Sequence, residues 1–138
     1  MLKKTITYTD YDGNTRTEDH YFNLTKAELT MLTLSHAGGL EKHLDRIIKA
    51  NDSPEIMKNF REIIKLAYGV KSDDGRRFVK SEEIYQNFEQ TEAYSMLFME
   101  LCTDSKAASE FVNAILPKDL VKEAEKNKNV AELPKADT

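Results

Sequence analysis

In the first segment of the chain, LKKTITYT, the apolar residues fall on alternate positions, which is the period of a β-strand. A second segment, TRTEDHYF, is similarly rich in threonine and aromatic residues, and DYDGN lies between the two. Because Asp12-Gly13 favours a two-residue turn, the sequence predicts a β-hairpin over residues 1–22. That turn would place four apolar side chains on one face, namely Leu2, Ile6, Tyr8 and Tyr21.

From residue 25 onward the hydrophobic positions follow the period of an α-helix. Thr25 to Glu28 form a capping box, which opens a first helix that runs to about His36. A second helix is predicted over residues 40–50, with Leu40, Leu44, Ile47 and Ile48 on one stripe. The remaining helix starts and stops are predicted at Ser53-Pro54, Gly69 (as a left-handed cap), Ser81, Thr91, Asp104 and Pro117.

These elements predict a mainly α protein, in which an N-terminal β-hairpin precedes a compact array of about five to six helices. We expect a single domain over residues 1–117, made of the hairpin at 1–22 and the helices at 25–117. Residues 118–138 are mostly lysine, glutamate, alanine and asparagine. This composition predicts a partly helical segment followed by a mobile, disordered tail.

Composition narrows the class of protein further. The chain has 138 residues and a formal net charge of −4, which disfavours nucleic acid and anionic lipid as partners. A single cysteine allows no intrachain disulfide and fits a reducing compartment. No stretch approaches the roughly 20 apolar residues of a membrane span. We therefore expect a protein of the cytoplasm.

Two polar segments resemble ligand-binding loops. KSDDGRRF, residues 71–78, lacks the glycines of a phosphate loop and the alternating oxygen ligands of a calcium loop. DYDGNTRTE comes closer to a calcium loop, but its glycine falls two residues too early. We interpret both segments as connectors, with Phe78 anchoring the first against the helices, and expect no metal and no cofactor.

The other chemically active side chains are not grouped in a catalytic pattern. His20, His36 and His43 have no ligand companions at metal-binding spacing, and Cys102 lies on an apolar helix as a small core residue would. No serine lies in a nucleophile motif. We therefore expect that the protein is not an enzyme.

Helices one and five are unusual because they are apolar on two sides. Tyr94, Leu97, Phe98 and Leu101 form the main stripe of helix five. The reverse faces of the two helices carry Met31, Leu34, Met96 and Met99. One interpretation buries both faces in the core. The other makes these four residues a partner-binding surface, because methionine is flexible and repacks readily.

An ordered series of segments gives a family resemblance. YTDYDGNTRTEDHYFNLTKAEL, GGL, YGVKSDDGRRFVKS, FEQTEAYSMLFMEL and FVNAILP follow one another over about residues 6–117. In this order they resemble the tail assembly chaperones of long-tailed bacteriophages and prophages. The turn-and-basic segment of that family is similar to residues 73–78, and its Thr-Glu-Ala-Tyr helix start is similar to residues 91–94.

The resemblance implies a function. Such proteins bind the tape-measure protein in the host cytoplasm, keep it soluble until the tail tube polymerises around it, and are absent from the finished virion. They are not enzymes. A ribosomal frameshift can add a C-terminal extension that recruits the tail tube protein, and self-association into a homo-oligomer is compatible with the role.

Two alternatives stay open at the level of sequence. One is a structural neck or baseplate adaptor that remains in the virion. The other is a small helical DNA-binding regulator, whose phosphate contacts would be Lys71, Arg76, Arg77 and Lys80.

Overall fold

A computed structural model describes residues 1–35 and 53–117 of the chain. The first element is an antiparallel hairpin of β1 (Leu2–Thr9) and β2 (Thr15–Phe22). The elements that follow are α1 (Lys26–Ser35), α2 (Ser53–Ala67), β3 (Tyr68–Lys71), β4 (Phe78–Val79), α3 (Glu82–Glu89), α4 (Glu92–Thr103) and α5 (Ser105–Ile115). The predicted helix over residues 40–50 and the predicted tail at 118–138 lie outside the described residues.

The predicted fold class is wrong, because the hairpin is half of a larger sheet. β3 and β4 extend it to four antiparallel strands in the order β1-β2-β3-β4, so the protein is α+β. Gly69, predicted as a left-handed helix cap, is a strand residue opposite Tyr21. Sequence periodicity missed β3 and β4 because they are four and two residues long, too short for an alternating pattern.

The hairpin also has a different register from the predicted one. Gly13 has a φ of 86°, and the backbone N–H of Asp10 donates to the carbonyl of Asn14 at 2.8 Å, so the loop has three residues. The Asp10 carboxylate accepts the N–H groups of Asp12 and Asn14, which fixes this loop. Compared with a two-residue turn, the register shifts by one residue and reverses the faces of β2. Tyr21 therefore lies opposite Lys3 on the outer face of the sheet, away from Leu2, Ile6 and Tyr8.

The inner face of the sheet is covered by helices. Phe22 is fully buried there, and its ring meets Phe111 of α5 edge-on at 5.2 Å. Tyr68 of β3 stacks on Phe88 of α3 at 4.3 Å. The backbone N–H of Leu24, just after β2, donates to the carbonyl of Ile115 at the end of α5. The first and last described elements are therefore joined through one core.

The predicted N-terminal helix caps at Thr25, Ser81, Thr91 and Asp104 are confirmed. Thr25 and Glu28 form the reciprocal bonds of a capping box, each from one backbone N–H to the other side chain. The side chains of Ser81, Thr91 and Asp104 accept backbone N–H groups at the starts of α3, α4 and α5. These side chains satisfy helix N–H groups that have no partner within the helix.

Candidate partner-binding surface

Helix α4, which was predicted from the sequence as helix five, has one side in the core. Its buried residues are Ala93, Tyr94, Leu97 and Leu101, and the helix packs against α2, α3, α5 and β1. The stripe predicted from sequence is buried except for Phe98, which is half-buried and stacks on Tyr94 at 5.8 Å. The core packing of α4 therefore uses one side of the helix, which leaves the opposite side available.

The opposite side of α4 presents Met96 and Met99, which we call the methionine face. Their exposed fractions are 50% and 48%, on a helix whose other side is almost completely buried. Glu100, next to Met99, bonds the ammonium group of Lys4 on β1 at 3.0 Å. The methionine face thus borders the first strand of the sheet.

The other two predicted residues lie on α1. Met31 is 68% exposed, while Leu29 packs against the core. Leu34 belongs to α1, but its side chain lies outside the described part of the structure. The structure thus brings Met96 and Met99 together as neighbours on one helix, and Met31 is carried by a separate one.

Sequence reasoning missed several exposed apolar residues. Met1, Tyr11, Met57 and Val70 are all more than two-fifths exposed. Met57 had a recognisable signal, because it lies three residues before Phe60 and continues the stripe of α2 toward the start of that helix.

The segment KSDDGRRF forms the loop between β3 and β4. The Ser72 hydroxyl donates to Asp74 at 2.7 Å and accepts the backbone N–H of Arg77, while Gly75 has a φ of 73°. The hydrogen bonds from Ser72 and from the backbone of Arg76 lower the pKa of Asp74. Phe78 does not anchor the segment against the helices as predicted. Its ring lies over Gly69 of the adjacent strand.

Lys71, Arg76 and Lys80, proposed as phosphate contacts of a DNA-binding protein, each contact a different group within the chain. The Lys71 ammonium lies 4.2 Å from the centre of the Tyr21 ring, and Arg76 lies 3.8 Å from Asp74. Lys80 points inward and donates to three oxygen atoms within 2.8 Å. Lys80 is therefore not presented to a phosphate backbone.

His20 and Cys102 lie in apolar surroundings. The His20 ring is 4.7 Å from Phe88, and burial lowers its pKa. Burial raises the pKa of the half-buried Cys102 thiol, which disfavours the reactive thiolate. Within residues 1–35 and 53–117, no three His, Cys, Asp or Glu side chains are placed to hold a metal ion. His36 and His43 lie outside these ranges.

The described residues thus form an α+β domain with two exposed methionines on the outward side of a core-packed helix. The model of the phage tail assembly chaperone family matches residues 1–138, and the chain belongs to that family. No curated protein and no solved structure matches the chain. In the part of the chain that the structure describes, none of the helices has the length and apolar character needed to span a bilayer.

Proposed function

We propose that this tail assembly chaperone binds the tape-measure protein of its phage and keeps it soluble until the tail tube polymerises around it. Membership of the family supports a role in tail assembly. The observation that carries the finer proposal is the methionine face, because Met96 and Met99 are half exposed on a helix whose opposite side is packed into the core.

Methionine is suited to a client that presents many similar sites. Its unbranched side chain repacks against different apolar surfaces, and an amphipathic client helix can lay its apolar stripe on such a face. Met96 and Met99 are already half buried, so covering their exposed halves contributes roughly 1.5–3 kcal/mol, whereas association costs about 4–15 kcal/mol. One methionine face is therefore too weak to hold a client alone. Several copies along one long client would hold it together, and each could be displaced by tube subunits.

Co-expression with the tape-measure protein tests this proposal. Met96→Glu combined with Met99→Glu should keep a cooperative melt but lose co-purification with the client, which then becomes insoluble. Met57→Glu on α2 is the matched control, because it makes the same change at a residue that is 43% exposed, and it should retain the client. Full client binding by the double variant would refute the proposed surface.

A second experiment separates a chaperone from a retained adaptor. We propose that the protein acts in the cytoplasm of the infected bacterium and leaves before the tail is complete. Quantitative mass spectrometry of purified virions should find it absent or far below one copy per tail. A stoichiometric amount would instead identify a neck or baseplate component.

A further inference from the structure

The first strand of the sheet has an open edge. β1 has eight residues and pairs without interruption from Leu2 opposite Phe22 to Thr9 opposite Thr15. Within the described residues no strand lies on its other side. A long, unbulged edge strand presents unpaired backbone groups to any chain that can align with it.

The register identifies these groups. Asp10 and Asn14 form the hydrogen-bonded pair that closes the loop, and such pairs alternate along an antiparallel ladder. The even-numbered residues of β1 therefore bond β2. The outward N–H and C=O groups belong to the odd-numbered residues, which are Lys3, Thr5, Thr7 and Thr9. The next pair of strands agrees with this register, because the N–H of Asn23, just after β2, donates to the carbonyl of Ala67, just before β3. The odd-numbered residues of β2 therefore bond β3, which leaves the even-numbered residues of β2 to bond β1.

We propose that β1 pairs with β1 of a second copy of this chain, antiparallel and about a two-fold axis at Ile6. In this register Thr5 of each copy lies opposite Thr7 of the other, and Lys3 lies opposite Thr9. All four outward-facing residues of each strand are paired, which is the largest overlap that the strand allows. The result is one continuous sheet of eight strands.

The distribution of charge along β1 favours an antiparallel second copy as the strand that pairs with its open edge. The strand is basic at its beginning, with Lys3 and Lys4, and Asp10 and Asp12 follow its end. Antiparallel pairing brings the basic start of one strand beside the acidic end of the other, whereas parallel pairing would set lysines beside lysines. Lys4, which also bonds Glu100, would lie diagonally across from Asp10 of the second copy, which also bonds its own Arg16. The middle of the strand, from Thr5 to Thr9, carries no charge.

The side chains at the edge suit this pairing. Lys3, Thr5, Thr7 and Thr9 are all exposed on the outer face. Within the hairpin, the Thr7 and Thr17 hydroxyls already form a cross-strand hydrogen bond at 2.9 Å. Thr5, whose hydroxyl donates to Asp19 at 2.6 Å within its own hairpin, would lie directly opposite Thr7 of the second copy.

Sedimentation equilibrium of the full chain over a wide concentration range tests the proposal. The wild type should reach twice the mass of one chain and dissociate on dilution. Thr5→Lys with Thr7→Lys places like charges opposite each other across the axis, so the dissociation constant should rise about tenfold or more. Thr5→Lys with Thr7→Glu places opposite charges there, and the dimer should return.

Thr15→Lys with Thr17→Lys is the matched control, because it makes the same changes on the outer face of β2, away from the edge. This variant should remain dimeric. A cooperative melt for each variant verifies folding. A monomeric wild type, a dimer unaffected by Thr5→Lys with Thr7→Lys, or no recovery with Thr5→Lys and Thr7→Glu would each overturn the proposal. Client binding does not enter these measurements, so they are independent of the proposed function.

Discussion

The ammonium group of Lys80 lies 2.8 Å from a carboxylate oxygen of Glu28, across 52 positions of sequence. The same ammonium donates to the carbonyls of Asn23 and Leu66, so it joins the end of α2, the segment after β2 and the first turn of α1. Burial by itself raises the pKa of Glu28. The hydrogen bonds from Lys80 and from the Thr25 backbone outweigh that effect and hold the pKa below its ordinary value.

Replacing Lys80 by Met should destabilise the protein by about 2 kcal/mol, because two carbonyls and a carboxylate lose a charged donor while the aliphatic part of the side chain is kept. The measurement is urea unfolding at neutral pH. Lys65→Met is the control, since Lys65 bonds Glu82 at 3.0 Å in a more exposed pair. That change should cost less than about 1 kcal/mol. Equal losses in the two variants would show that Lys80 is an ordinary surface lysine.

His20 should make the folding free energy depend on pH. Burial lowers its pKa in the folded state, while the charges of Glu18 and Asp19 partly oppose this. As the pH falls, His20 therefore binds a proton at a higher pH in the unfolded chain than in the folded protein. Stability is complete above the ordinary value of 6.5 and decreases below it, by about 1.4 kcal/mol for each unit by which folding depresses the pKa.

Unfolding of the wild type and of His20→Phe between pH 7.5 and 5 measures this effect. The variant should be less sensitive to pH and at least as stable at pH 7, because Nε2 of His20 is buried and forms no hydrogen bond with residues 1–35 or 53–117. His36 and His43 are present in both proteins, so their contributions cancel. An unchanged pH dependence in His20→Phe would assign the effect to other groups.

Gly69 should not tolerate a side chain. A Cβ atom there would lie 2.6 Å from the Phe78 ring, so one of the two must move. Gly69→Ala should cost about 1–3 kcal/mol by chemical denaturation. If the cause is this contact, the same change in a Phe78→Ala background should cost clearly less. An equal cost in both backgrounds would locate the strain elsewhere in β3.

The two sides of α4 should differ in their tolerance of charge. Leu97 is 2% exposed and Met96 is 50% exposed, although they are adjacent in sequence. Leu97→Glu should cost several kcal/mol, because an unpaired carboxylate would enter the core. Met96→Glu should cost less than about 1 kcal/mol. Thermal and urea unfolding compare them directly, and a collapse of Met96→Glu would place that residue in the core.

Local features were predictable from the sequence where a few neighbouring residues determine them. The caps at Thr25, Ser81, Thr91 and Asp104 are of this kind, since each side chain bonds a backbone group within three residues. The buried stripe of α4 could also be predicted from the sequence, because the helical period alone sets which residues share a face.

Features that depend on distant partners were not predictable. Lys80 looked like one of four basic surface residues, because none of its three oxygen partners is near it in sequence. β3 is stabilised as a strand by pairing with β2, as in Tyr68 opposite Phe22, which lies 46 positions earlier. The candidate surface was proposed from the sequence because apolar residues on the reverse of a helix have no local explanation, and it stays a prediction. Which of them are exposed depends on the packing of the whole core.

The face that each residue of β2 presents depends on the register of β2 against β1. A slip of this pairing by one residue would turn every side chain of β2 over, bringing Tyr21 inward and moving His20 and Phe22 out to water. Burial of Phe22 therefore holds the register. An inserted or deleted residue at the tip of the hairpin should be absorbed by the loop, with the strand pairing unchanged. The interior contacts of β2, more than the length of its turn, decide which half of the strand belongs to the core.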